Sequence, residues 1–255
     1  MTNRIVSLTP SITETLFALG AGDRVVGVTD TCDYPPEVNG KPHVCSWFEP
    51  DMSRIKDLGP DLVIGLESVH SQTQTKFKAA GIRLVVLSPV CMADALRDIL
   101  NLGVLLDLQQ TARSMVDNLQ ARIDKLTEQV QRIPCDRHVT VSRVLDVEND
   151  RLIVAGPKSF QFDVIASAGG VNVTGGINEA YPKVSFEQFK NWDPEMVFFC
   201  GSDKRRISHI KADPAWQSLK SVQKGRIHQF DCGLTCRTGP RIVDMAELLY
   251  EALYA

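Results

Sequence analysis

The sequence predicts an α/β protein of two Rossmann-like lobes with parallel sheets, joined by one long spine helix, with a cleft between the lobes. Three observations predict it. The first is an internal repeat. Residues 59–68 read Gly-Pro-Asp-Leu-Val-Ile-Gly-Leu-Glu-Ser, and residues 193–202 read Asp-Pro-Glu-Met-Val-Phe-Phe-Cys-Gly-Ser. Each has a proline, an acid and an apolar run long enough for one buried strand. Each follows an amphipathic stretch, carrying Ile55 and Leu58 or Phe186 and Phe189. Two similar halves make two lobes, and small ligands bind at such interfaces. The second is alternation of strand and helix patterns with short loops, which calls for parallel sheets covered on both faces. The third is residues 107–133, where Met115, Leu119, Ile123, Leu126, Val130 and Ile133 form one stripe on a helix of roughly 40 Å. The expected organisation is 1–106, first lobe; 107–134, spine; 135–255, second lobe.

The elements follow in order. Residues 4–8 form a strand broken by Thr9-Pro10-Ser11. Ser11 and Glu14 suggest a capping box for a helix that Gly20 and Gly22 end. Residues 25–28, 62–66 and 84–87 are strands, with helical segments near 71–80 and 92–106. Pro134 stops the spine. The second half has strands at 138–145, 196–200 and 226–230. Its helices lie near 159–168, capped by Gly169-Gly170, near 185–192, and from about 241 to the end.

Composition narrows the function. At 255 residues, 44% hydrophobic and 23% charged, the chain is an ordinary globular one. A net charge of -3 argues against nucleic acid. No apolar run of about 18 residues exists to span a membrane. The N-terminus lacks a secretory pattern, so either a signal has been replaced by an initiator Met or the protein is cytoplasmic. Seven cysteines, an odd number in no disulfide framework, favour a reduced setting. Motifs for phosphate loops, zinc proteases, serine hydrolases and dinucleotides are missing, so no catalytic residue is expected.

Ligands of parallel sheets sit beyond the carboxyl ends of the strands. The loops there are 9–13, which holds Ser11, 31–34, 45–48, 67–71 and 89–92 in the first half. In the second they are 143–150, 174–181, 201–206 and 232–241. Cys32, Cys45, Cys91, Cys232 and Cys236 all fall in these loops, and Cys200 ends a strand near them. Thiolates bind soft or borderline metals and clusters, so these five are candidate ligands for a metal or iron–sulfur species. In that reading Arg237 and Arg241 would meet anionic groups of a ligand and lower nearby thiol pKa values. The plainer reading is that small residues suit loop walls. His70 lies in the 67–71 loop, where a lone histidine is more often structural.

Ile5-Val-Ser-Leu-Thr-Pro-Ser-Ile-Thr-Glu14, Asp33-Tyr-Pro-Pro-Glu37, Pro60-Asp-Leu-Val-Ile64, Ala168-Gly-Gly-Val-Asn172 and Gly239-Pro-Arg-Ile242 stand in one order. In this the chain resembles the helical-spine substrate-binding proteins of ABC importers, the cobalamin and iron-siderophore group. Asp33-Tyr34-Pro35-Pro36 with Ser46-Trp47 looks most like the cobalamin branch. The resemblance implies a periplasmic, monomeric binding protein with no chemistry and no cofactor of its own. Its ligand would be cobalamin or another corrinoid, and its partner an ABC permease. A siderophore, haem or other metal chelate is the alternative ligand. A cytoplasmic metal or iron–sulfur carrier is the alternative role. Tyr34 and Trp47 match the family's ligand-facing aromatics, which give large contact area with few rotors. Glu187 matches the family's second-lobe acid for permease docking. In the repeat its first-lobe counterpart is Ser53, so Asp51, with Glu49 close by, is the candidate substitute.

Overall fold

The computed structural model describes residues 3–45, 49–148, 150–201 and 204–255. They form two units. The first holds the chain up to Pro89 with Ala93–Leu119 and Thr238–Pro240; the second holds Val90–Met92, Gln120–Arg237 and Arg241–Ala255.

The first unit begins with β1 (Ile5–Ser7), α1 (Pro10–Ala18), β2 (Val25–Thr29), β3 (His43–Cys45), α2 (Met52–Asp57) and β4 (Leu62–Leu66). It continues through α3 (Glu67–His70), α4 (Gln74–Ala79), β5 (Leu84–Leu87) and α5 (Met92–Leu105). Its sheet order is β3-β2-β1-β4-β5, and every pair is parallel. The inner strands are apolar on both faces, as a doubly covered sheet requires. Val6, Leu8, Val44, Ile55, Val63 and Phe77 pack as one cluster beneath it. The expected capping box is absent. Pro10 takes the first helical position and disfavours helical geometry in the residue before it. Thr9 (φ -151°, ψ 149°) is therefore the N-cap, while Ser11 and Glu14 are buried inside the helix.

The helix α6 (Gln109–Gln131) matches the expected spine, and the division between units falls within it. Leu119 and Leu126 are buried, and Met115, Ile123 and Val130 half-buried. Gly103 of α5 permits close helix packing, since a Cβ there would stand 2.3 Å from Ala112 Cβ.

The second unit runs β6 (Thr140–Glu148), β7 (Arg151–Val154), α7 (Phe160–Ser167), β8 (Val171–Asn172), β9 (Lys183–Ser185), α8 (Phe186–Trp192) and β10 (Met196–Cys200). Then come α9 (Lys204–Ala212), α10 (Pro214–Gln217), α11 (Lys220–Gln223), β11 (Ile227–Phe230), α12 (Cys232–Thr235) and α13 (Ile242–Tyr254). The order is β11-β10-β6-β7-β9, with β8 beside β6. β11, β10, β6 and β8 are parallel, as expected. β7 and β9 add antiparallel pairs, so this sheet is mixed. Of residues 143–150, expected as a loop, 143–148 are instead the end of β6, because pairing with Arg151–Val154 keeps them extended. Trp216 is the centre of the core here, within 5.4–6.1 Å of the rings of Phe186, Phe189 and Phe199. Gly169 (φ 78°) supplies the left-handed residue past the end of α7.

The repeat is literal. Asp51 and Ser185, Met52 and Phe186, Ile55 and Phe189, Leu62 and Met196 stand 134 residues apart in equivalent places. Asp51 caps α2 by accepting from Ser53 N–H and Arg54 N–H at 3.0 and 3.1 Å. Ser185 caps α8 by accepting from Gln188 N–H at 3.1 Å. No helix among the described residues is long and apolar enough to cross a membrane.

Candidate functional site

At the carboxyl edge of the first sheet, the chain leaving β1 builds a small hydroxyl network. Thr13 Oγ1 donates to Ser7 Oγ at 2.8 Å and lies 3.1 Å from Cys32 Sγ, which is equally close to Thr29 Oγ1. Ser11 is 3.3 Å from Thr9 Oγ1 and lines a cavity of about 10 Å³ with Asp98 and Thr238. That volume holds a water at most. Burial raises the Asp98 carboxyl to about 6. Tyr34, joined to Pro35 by a cis peptide, is 44% exposed. Trp47 and Ser46 lie outside the described residues.

The first-lobe cysteines are structural in character. Cys32 is buried among threonine hydroxyls. Cys45 is buried on β3, and its thiol is pushed up to about 12 by burial and then by Cys32, Asp30 and Asp51 nearby. The 67–71 segment is helical rather than a loop, and His70 is fully buried in it. His70 Nδ1 accepts from Leu66 N–H at 3.1 Å, and burial lowers its pKa, so the ring is neutral.

The chemistry concentrates in the second lobe. Cys200 ends β10, and β11 leads through Asp231 into α12, which carries Cys232 and closes at Cys236. Asp231 caps this turn, accepting from Gly233 N–H at 2.6 Å, and Cys236 N–H bonds Cys232 O at 3.0 Å. Four-residue spacing then puts both thiols on one side of the turn. The sulfurs of Cys200, Cys232 and Cys236 all lie within 4.8 Å of one another. Cys236 donates to Cys200 across 3.4 Å.

A buried arginine stands behind these thiols. Arg143 lies on β6, its Nη2 3.7 Å from Cys236 Sγ and its guanidinium 5.7 Å from the centre of the Phe198 ring. It is 1% exposed, and among the described residues it forms no ion pair with a carboxylate. The Cys236 thiol donating to it, opposed by burial and aided by Arg143 and Cys232, pulls Cys200 down to about 5. Cys232 is raised to about 11, first by burial. Cys236 is raised further, first because it gives its hydrogen bond to Cys200. At neutral pH the trio therefore carries one thiolate, centred on Cys200. Tyr181 Oη donates to Gln161 Oε1 at 3.2 Å, and burial raises its pKa.

Arg237 and Arg241 converge beside Gly233, and among the arginines the thiol shifts trace to Arg143 rather than to them. A Cβ on Gly233 would stand 3.6 Å from Arg237 Nη1 and 3.0 Å from Arg241 Nη2. Of the sequence candidates, the structure brings Cys232 and Cys236 together. Cys32 and Cys45 belong to the first unit, and Cys91, in the second, is not part of the three-thiol group. Cys200, placed only nearby by the sequence, is its centre. Arg143 was expected only as the first residue of the 143–150 loop, although an arginine inside the apolar run 139–145 is the signal that could have found its role.

The docking candidates differ. Glu187 is exposed in the first turn of α8. The Asp51 carboxylate is engaged as a helix cap and lies 3.4 Å from Arg54 Nε.

The sequence profile of the periplasmic binding protein family matches residues 5–231. An uncharacterised ABC transporter substrate-binding lipoprotein, YvrC, of Bacillus subtilis strain 168 is 25% identical over 255 residues, 98% of this chain and 80% of its own. A vitamin B12-binding protein of Yersinia pestis is 25% identical over 210 residues, 82% of this chain and 73% of its own. Among solved structures, the periplasmic haem-binding protein RhuT of Roseiflexus sp. RS-1 in apo form is similar, with TM-score 0.88 and 26% identity. The match covers 100% of this chain and 98% of that one.

Proposed function

Because this chain belongs to the periplasmic binding protein family, we propose that it is the substrate-binding component of an ABC importer and that its ligand is cobalamin or a related corrinoid. The observation that carries this is extent. The family profile runs through both copies of the repeat, from β1 to the end of β11, so the match takes in sheets of both units. The Asp33-Tyr34-Pro35-Pro36 segment and the vitamin B12-binding relative favour the corrinoid. Tyr34 offers an exposed ring for ligand contact, and Trp47 is its proposed companion. Ser11, Arg237 and Arg241 are proposed as polar contacts. Glu187 is the proposed acid for docking on a permease, where charge sets orientation and on-rate. This role puts the working site outside the cytoplasmic membrane.

A second reading, haem, rests on the likeness to the haem-binding protein of Roseiflexus at 26% identity. Titrating the protein separately with cyanocobalamin and with haemin separates the two. The corrinoid reading expects saturable one-to-one binding of cyanocobalamin, weakened about tenfold by Tyr34→Ala, an amount in keeping with the loss of one aromatic contact. A haemin Soret shift without cobalamin binding would transfer the proposal to haem.

A further inference from the structure

The three thiols of the second lobe form a group that the transport reading does not use. We propose that Cys200, Cys232 and Cys236 are a site for one thiophilic divalent ion of the zinc type, bound by three thiolates with Arg143 at its back.

Geometry supports the stoichiometry. Zinc–sulfur bonds of about 2.3 Å at tetrahedral angles hold sulfurs about 3.8 Å apart. Here the sulfurs lie within 4.8 Å of one another, and Cys200 and Cys236 are 3.4 Å apart. Small side-chain rotations close the triangle. The donors stand on a strand end and a capped helical turn, which fixes them more firmly than open loops would. Cys232 is exposed, giving the ion an entry path and leaving its fourth position to water.

Charge supports the class of ion. Three thiolates and a divalent cation carry one net negative charge, which the Arg143 guanidinium cancels. A guanidinium that is 1% exposed with no carboxylate partner among the described residues is costly to bury alone, and a metal–thiolate group supplies its counter-charge. Thr235 Oγ1 donates to Asp231 O at 2.9 Å and Gln161 Nε2 to Thr235 O at 3.5 Å, bonds that hold the turn carrying Cys232 and Cys236. The alternative fate of these thiols is a Cys200–Cys236 disulfide, which would need an oxidant and leave Cys232 over.

The test uses the full chain, reduced and freed of metal by chelator, without cobalamin, so that its failure leaves the transport reading untouched. Cobalt(II) serves as a coloured stand-in. The expected result is one equivalent bound with a sulfur-to-cobalt absorption band that zinc abolishes. Cys200→Ser, Cys232→Ser and Cys236→Ser should each weaken binding on the order of a hundredfold, at least the upper end of what losing an outer-shell partner costs. Cys135→Ser should change nothing. In wild-type protein, zinc should shield these three cysteines from alkylation, read by mass spectrometry, while Cys135 stays reactive. This second measurement holds even if a variant misfolds. No cobalt band, or protection falling on other cysteines, would overturn the proposal.

Discussion

The two copies of the repeat are built alike and finish differently. In the first, Asp51 caps α2, Ile55 anchors it, and β4 ends at Leu66 beside the fully buried His70. In the second, Ser185 caps α8, Phe189 anchors it, and β10 ends at Cys200, among two more thiols and Arg143. The shared parts are those that make a helix start and a strand bury. The differing parts lie at the carboxyl end, where the sheet presents side chains to whatever it binds. One copy closes that end with packing, and the other keeps ionisable groups there.

The most damaging way to break the likeness is through the cores. Trp216→Ala should cost about 3–5 kcal/mol, as large aromatic deletions do. In the first lobe's core, Phe77→Ala, at a fully buried position, should cost as much. Denaturant unfolding measures both, and a loss below 1 kcal/mol in either would mean that lobe's core is placed wrongly.

The contrast in thiols comes next. The thiolate is the nucleophile, so alkylation slows as pH falls through the thiol's pKa. Cys200, at about 5, should react at a flat rate between pH 6 and 8, whereas an ordinary thiol should accelerate roughly a hundredfold over that range. Cys45, at about 12, should stay inert throughout. A Cys200 rate that climbs with pH like any thiol would remove the asymmetry between the lobes.

Smaller effects sharpen the comparison. Gly103→Leu should cost about 1–3 kcal/mol, because even a Cβ there meets Ala112 at 2.3 Å. Asp51→Ala and Ser185→Ala should each cost about 1 kcal/mol as lost N-caps, read by thermal melting. Unequal costs would show that the two caps are equivalent in position only. Glu187→Ala should leave stability and ligand affinity unchanged while slowing association with the permease, measured by surface capture.

Much of this was legible in the residues. The strands at 62–66, 84–87 and 196–200 and the long helix show in apolar runs and a stripe that context did not override. The β6–β7 hairpin was not, because Asp146 and Glu148 interrupt the apolar pattern and the pairing is set by tertiary register. The capping box at Ser11 failed because Pro10 moves the helix start back two residues, with Thr9 as the cap. At the site, Cys232 and Cys236 stood out by spacing and position. Arg143 did not, since a strand pattern reveals burial but not which charged group is buried, and Cys200 counted only as the end of its strand.

The most direct test of the binding account is equilibrium dialysis of the reduced, metal-free protein against cyanocobalamin, followed by gel filtration. One corrinoid retained per chain, with its absorption spectrum shifted, is the predicted result. A corrinoid that passes through freely at concentrations far above the protein's own would contradict the account.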